Sequence, residues 1–369
     1  MNDTLSGPII IGVAAWLTYL VAFAGCRSAA WRKILPDHPN HRSSHIRATS
    51  KAGGVAIIVA WAIGMIVVGV FLDPPEYLRS ASGLAVLTMI ALVLGLADDA
   101  RQFSPAVKFA GQIAIAALFI WFFAPLQAIP APFADPILLW PVAGAALSII
   151  WIVGFMNTYN FMDGVNGIAA GCTGVGMTIF AILCALSGAL LPAAAAMLLT
   201  VACYGFLPMN FKRGRLFMGD NGSQAISFMI AALAVYTANT TANNVNILVI
   251  PIIFMPFLLD VTWTLAHRLL RGQNILAAHR EHNYQLLLRL GRSHERVATY
   301  YMVGTFFCAC AAGVMLATPP EYQWIFPAAI SAIFMVMATQ IYRKANVADL
   351  LARVELKGDR PDSDMQPAE

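Results

Sequence analysis

Long apolar runs, separated by short polar connections, fill almost the whole chain. Eleven such runs can be marked, at 8–26, 53–71, 80–97, 109–126, 137–156, 168–186, 189–208, 224–239, 245–265, 298–317 and 324–342. A bilayer-spanning helix needs about 20 predominantly apolar residues. The pattern therefore predicts an all-α, polytopic integral membrane protein with about 11 transmembrane helices. The eighth run is short, and the connection before the seventh is tight.

Composition agrees. The chain is 59% hydrophobic and 11% charged, whereas a soluble domain carries roughly 25% charged residues. Mean hydropathy is +0.70. Eleven runs put the termini on opposite sides, and the basic residues say which. Of the 23 Lys and Arg, 22 fall in alternate connections (27–52, 98–108, 209–223, 266–297) and in the tail from 343; only Arg79 lies on the other side. The positive-inside rule then places the N-terminus outside and the tail in the cytoplasm. The basic balance reports topology, not a nucleic-acid partner. No two of the six cysteines form a CxxC pair, so neither disulfides nor zinc are expected. "MNDTLSG" lacks a basic segment, so the first run is not expected to be a cleaved signal. There is no internal repeat. Residues 1–342 read as one transmembrane unit and 343–369 as a largely disordered tail, with "VADLLARVEL" as a short surface helix at most.

Candidate chemistry collects on the basic side. The third run ends at Asp98 and Asp99, with Lys108 beyond. The fifth ends in "NTYNFMDGVNG" (157–167), the seventh leads to Asp220, and the ninth leads through Asp260 to a loop holding His279 and His282. Each piece has a bland reading. Asp is a common helix cap, Asp-Gly is an ordinary turn, and Lys108, Lys212 and Arg213 serve topology. The bland readings leave the coincidence unexplained. Acidic or amide groups end three successive inward-running spans, and carboxylates at the hydrocarbon boundary are costly unless paired or metal-bound. Oxygen ligands with interleaved Lys and Arg suggest a divalent cation beside phosphates. The chain has no GxxxxGK[ST] phosphate loop.

"DHPNHRSSH" (37–45), "DDARQFSPAVK" (98–108), "NTYNFMDGVNG", "FMGDNGS" (217–223) and "HREH" (279–282), in this order on these loops, resemble the polyprenyl-phosphate N-acetylhexosamine-1-phosphate transferases. The resemblance covers about residues 37–300. It implies attack by undecaprenyl phosphate on a UDP-N-acetylhexosamine, giving undecaprenyl-diphosphate-sugar and UMP. By the resemblance, Asn160 and Asp220 are Mg²⁺ ligands, with Mn²⁺ able to substitute. Asp98 and Asp99 are the paired acids that handle the lipid phosphate or assist the metal, and Asp220 joins them as a catalytic group. Lys108 contacts phosphate, Asn157 belongs to the same N-x-x-N pattern as Asn160, Asp163 meets the ribose or a basic neighbour, and Asn166 meets uracil. His279, Arg280 and His282 close on the diphosphate. A homodimer is compatible with the resemblance.

Two departures stand out. Many members carry DGxDG, where this chain has Asp163-Gly-Val-Asn166-Gly; an amide offers uracil both a donor and an acceptor. "ATSKAGG" (48–54) stands where PTPRGG is common, which removes the prolines that would shape that loop. "HREHNYQ" resembles the O-antigen and exopolysaccharide initiators, whose sugars are often 6-deoxy, more than the triple-His pattern of the peptidoglycan phospho-MurNAc-pentapeptide translocase, which stays the alternative. A secondary transporter, the rival from another class, would place acids in mid-span and show repeat symmetry. Direct attack and a two-step route through an aspartyl-phosphate both remain open. A lipid phosphate with a second pKa of about 6 needs no general base at neutral pH.

Overall fold

The structure is a computed structural model and describes residues 6–32, 34–37, 49–72, 76–212, 214–241, 244–274, 277, 279–348 and 350–351. It is all-α. In chain order the helices are α1 (Ser6–Arg32), α2 (Gly53–Phe71), α3 (Glu76–Arg101), α4 (Pro105–Phe123), α5 (Pro141–Met162), α6 (Ile168–Leu186), α7 (Leu190–Asn210), α8 (Gly219–Thr240), α9 (Val249–Ile253), α10 (Met255–Leu270), α11 (Asn283–Arg289), α12 (His294–Leu316) and α13 (Ile325–Val347). Two small antiparallel pairs join them: β1 (Pro36–Asp37) with β2 (Thr49–Ser50), and β3 (Ala128–Ala131) with β4 (Ala134–Leu138).

Among the described residues, nine helices are long and apolar enough to cross a membrane. The eleven expected runs differ from these nine in two places. The eighth, α8, carries Asn221, Ser223, Gln224 and Ser227, all buried, and these dilute its apolarity. The ninth is broken into α9 and α10 at Phe254. Pro256 has no N–H with which to continue the helical ladder there.

A segment that is not among the nine is the centre of the bundle. α8 packs against α2, α3 and α5 and is buried almost all round, as a helix without a polar stripe must be. Small residues permit the close approach. A Cβ on Gly54 would lie 2.1 Å from Gly222 Cα, and one on Gly95 would lie 2.4 Å from the Asp220 carbonyl. Helices α1, α2 and α7 pack on one another and α6 packs on α7, while α12 packs on α6 and α9 and α13 reaches α10 and α11.

Helix starts follow local chemistry. Ser104 caps α4 by accepting from Val107 N at 3.4 Å, with Pro105 in the first turn, and Ser293 caps α12 by accepting from Arg296 N at 3.3 Å. The tail expected from 343 begins as helix, because α13 runs on to Val347. Residues 352–369, where disorder is expected, lie outside the described residues. So do Arg213 and 38–48, which hold most of "DHPNHRSSH".

Candidate active site at one end of the bundle

The C-terminal ends of α3 and α5 and the N-terminal ends of α4 and α8 meet at one end of the bundle. Their polar residues form two tiers, one helical turn apart. In the upper tier Lys108 Nζ lies against Asp98 Oδ2 and 3.3 Å from Asp220 Oδ2. Asn160 Nδ2 donates to Asp220 Oδ1 at 2.9 Å and to Ser223 Oγ at 2.8 Å. Asp98 and Asp220 are neighbours, and two carboxylates so close repel unless they share a proton or a cation. Lys108 supplies one. In the lower tier Gln112 Nε2 donates to Gln224 Oε1 at 2.9 Å, and Asn157 Nδ2 donates to Gln112 Oε1 at 2.7 Å. Lys108 and Gln112, Asp220 and Gln224, and Asn157 and Asn160 are i,i+4 or i,i+3 pairs, so each of three helices contributes to both tiers.

Asp98 and Asp99 do different things. Asp98 is 3% exposed; its Oδ1 accepts from Phe103 N at 2.9 Å, closing the α3–α4 turn. Asp99 does cap a helix, but not its own. It accepts from the Asp220 and Asn221 backbone N–H groups at 3.2 and 3.0 Å and from Asn221 Nδ2 at 2.7 Å. A carboxylate is thus held at the positive end of α8.

Two loops are stapled beside this cluster. Buried Asn210 accepts from Gly167 N at 2.6 Å and donates to the Leu216 carbonyl at 2.8 Å, tying the 163–167 turn to the strand-like 215–218 segment. Gly167 has φ +84, and a Cβ there would strike the Phe211 ring at 2.2 Å. Asn166 reaches this junction: a Cβ on Gly214 would lie 2.9 Å from its Nδ2. Asp163 sits half-buried in the turn, and burial first, then the charges of Asp220 and Asp99, push its carboxyl well above the usual range. The segment that lacks the family's prolines is shaped by backbone pairing instead. Phe217 N donates to Ser50 O at 2.8 Å, and Gly53 N and Gly54 N donate to Phe217 O and Met218 O, both at 3.0 Å.

The histidine loop reaches the same region through Tyr284, whose hydroxyl donates to the Phe161 carbonyl at 2.9 Å. The His282 ring lies 5.8 Å from the Phe161 ring and 4.9 Å from that of His279. Fully buried Asp260 anchors the loop. It accepts from Asn283 N at 2.8 Å and Tyr284 N at 3.3 Å, and from the Tyr301 hydroxyl. Burial, with His282 and Arg268 nearby, holds His279 down to about 4, so the ring is neutral at neutral pH. Arg280 is exposed.

Sequence reasoning missed Asn210, Gln112, Gln224 and Asn221 as parts of the site, and passed over Asp260 as an anchor. For Gln112 and Gln224 a signal existed: amides inside apolar spans are uncommon and face the bundle interior. Asn210 stood in a loop rich in polar residues and carried no such mark.

The donor set suits a hard cation. Asp98 and Asp220 bring carboxylate oxygens close together, and the Asn160 amide lies against Asp220 through its Nδ2. Among the described residues no three His, Cys, Asp or Glu side chains form a metal-holding group.

This is a polytopic membrane enzyme with a carboxylate, lysine and amide site at one end of its helices. A family model described as Glycosyl transferase family 4 matches residues 81–238. The "Probable undecaprenyl-phosphate N-acetylglucosaminyl 1-phosphate transferase" of Bacillus subtilis is 27% identical over 343 residues, covering 92% of this chain and 94% of that protein. The "Decaprenyl-phosphate N-acetylglucosaminephosphotransferase" of Mycobacterium leprae is 30% identical over 305 residues, covering 72% and 74%. The "Phospho-N-acetylmuramoyl-pentapeptide-transferase" of Staphylococcus aureus is 25% identical over 277 residues, covering 70% and 83%. The chain belongs to the polyprenyl-phosphate hexosamine-1-phosphate transferases of glycosyl transferase family 4, enzymes that transfer a sugar phosphate.

Proposed function

We propose that the protein transfers N-acetylglucosamine-1-phosphate, or a closely related N-acetylhexosamine-1-phosphate, from the UDP-sugar to undecaprenyl phosphate, releasing UMP and starting a cell-surface polysaccharide. The convergence of Lys108, Asp98, Asp220 and Asn160 from four helices supports this reading most. It gives a phosphate-sized group cationic and metal-ligating partners at the membrane boundary. The names of the Bacillus and Mycobacterium relatives favour N-acetylglucosamine as the first sugar to test. The basic bias puts this end of the bundle in the cytoplasm, where nucleotide sugars are found.

Asp220 and Asn160, with Asp98 adjacent, would hold Mg²⁺, which supplies charge neutralisation on the donor diphosphate. Lys108 neutralises phosphate charge and offsets the negative charge of Asp98 and Asp220 side by side. Asp98, its second oxygen facing Lys108, orients the acceptor phosphate. Asn166 offers a donor and an acceptor to uracil, and the 279–282 segment closes over the diphosphate. Catalysis then rests on positioning and charge stabilisation.

The test is UMP release by purified protein with undecaprenyl phosphate and a panel of UDP-sugars, UDP-MurNAc-pentapeptide included. Activity should need a divalent cation and return with Mn²⁺ after EDTA treatment. Asp220→Asn keeps size and loses charge, so kcat should fall by roughly a hundredfold or more, with the protein still folded. Asp135→Asn, exposed on β4, should change nothing. Near-normal turnover by Asp220→Asn at saturating Mg²⁺ would remove the metal from this site. Preference for UDP-MurNAc-pentapeptide would move the protein to the peptidoglycan branch.

A further inference from the structure

The end of α13 and the residues just beyond it touch the histidine loop. Tyr342 is 5% exposed and its hydroxyl donates to the Glu281 carbonyl at 2.8 Å, between His279 and His282, and lies 3.3 Å from Thr264 Oγ1. Its ring packs 4.5 Å from that of His267 on α10. The Glu281 carboxylate, fully buried, accepts from Arg268 Nη1 at 2.9 Å, and Arg268 Nη2 donates to the Asn274 carbonyl at 2.9 Å. Farther along, Leu351 is 2% exposed and shares a small apolar cluster with Leu286, Tyr342 and Ala345, separate from the main core. Arg289 Nη2 donates to the Leu350 carbonyl at 2.7 Å.

Nothing in the transfer reaction uses Tyr342 or Leu351, yet both are deeply buried. His279 is only half-buried, and Arg280 is exposed. A short segment with exposed tips gains little from apolar burial and opens at low cost. Its geometry must be imposed from behind. Asp260 fixes the helix that follows it. The Arg268–Glu281 pair and the Tyr342 hydroxyl fix the segment itself, and the Leu350–Leu351 contacts keep Tyr342 and α11 together.

We infer that Tyr342 on α13, with Leu350 and Leu351 beyond it, is a clamp for the donor site, with Tyr342 as the positioning residue for the 279–282 segment. This rests on the reading that the segment meets the donor diphosphate. A loosened segment must be ordered at the moment of binding, so the cost falls on donor affinity. The acceptor, handled by Asp98 and Lys108, is not affected.

The experiment compares full-length protein with Tyr342→Phe, which keeps the ring and loses the hydroxyl, and with Leu351→Asp. Two readouts are taken: steady-state constants for UDP-N-acetylglucosamine and undecaprenyl phosphate, and amide hydrogen exchange of the peptide covering 279–286. For Tyr342→Phe the donor KM should rise roughly threefold to tenfold, the effect of one or two lost hydrogen bonds. The kcat and the acceptor KM should stay put, and exchange should quicken in 279–286 but not in α8. Leu351→Asp should act in the same direction, and Leu351→Met, which conserves volume, should behave as the unmutated chain. Unchanged exchange in 279–286 overturns the clamp. So does a fall in kcat with donor KM unchanged, or a loosening spread over the whole bundle. The donor reading itself is judged by Asp220→Asn, so that quickened exchange in an enzyme whose Asp220→Asn variant keeps full activity would indict that reading and leave the clamp's contacts standing.

Discussion

Asp99 is expected to act through α8 and not on the reacting groups, and replacing it separates the two roles. Its carboxylate receives three N–H groups, two of them from the backbone of the first turn of α8, at 2.7–3.2 Å. In Asp99→Ala these donors lose their acceptor. A lost helix cap costs about 0.5–2 kcal/mol, and an unsatisfied buried donor costs about 1–3 kcal/mol. Water reaches this half-buried site, so the sum is set at about 2–4 kcal/mol. In Asp99→Asn one acceptor oxygen stays while the charge facing the helix end is lost, at a cost of about 1–2 kcal/mol. The assay is thermal unfolding of the full-length protein in detergent, followed in parallel with UMP release at a temperature where every variant is folded. Stability should fall in the order unmutated, Asn, Ala. Turnover of the Asn variant should fall by less than about tenfold, because Asp220 is displaced only as far as α8 shifts. An Asn variant that melts normally yet turns over about a thousandfold more slowly would place Asp99 on the substrate or metal and refute the capping role.

Three further outcomes are expected. Gly164→Ala puts a Cβ 2.2 Å from the Tyr284 hydroxyl, so it should destabilise by about 1–3 kcal/mol; adding Tyr284→Phe should recover part of that loss, and strictly additive effects in the double-mutant cycle would show that the two do not meet. Asn166→Ala should raise the donor KM by a factor corresponding to about 0.5–1.5 kcal/mol, and equal use of GDP- and UDP-sugars by the unmutated chain would exclude Asn166 as a base reader. His279, held at about 4, lies below its ordinary value of about 6.5, so its contribution to stability is complete above that value and is lost as pH falls toward 4; melting temperature should drop across that window, and His279→Gln should flatten the drop.

The sequence by itself determined the class of architecture and the side on which chemistry gathers. Apolar run length fixes a membrane helix, because the hydrocarbon admits no unsatisfied backbone. The polar residues that break the pattern, Asp98, Lys108, Asn160 and Asp220, were visible for the same reason: each is costly where it stands. Contact between runs was not visible. No local feature says that α8, a segment diluted by buried polar residues, lies at the centre, since that follows from Gly54, Gly95 and Gly222 allowing three backbones together. Nor does "DD" say that Asp98 turns to Lys108 while Asp99 caps a helix more than a hundred residues later. Residues 343–351 look like a tail in sequence. They meet the histidine loop's helix only because folding brings Leu350 against Arg289 and Leu351 against Leu286, a pairing of distant residues that tertiary packing alone decides.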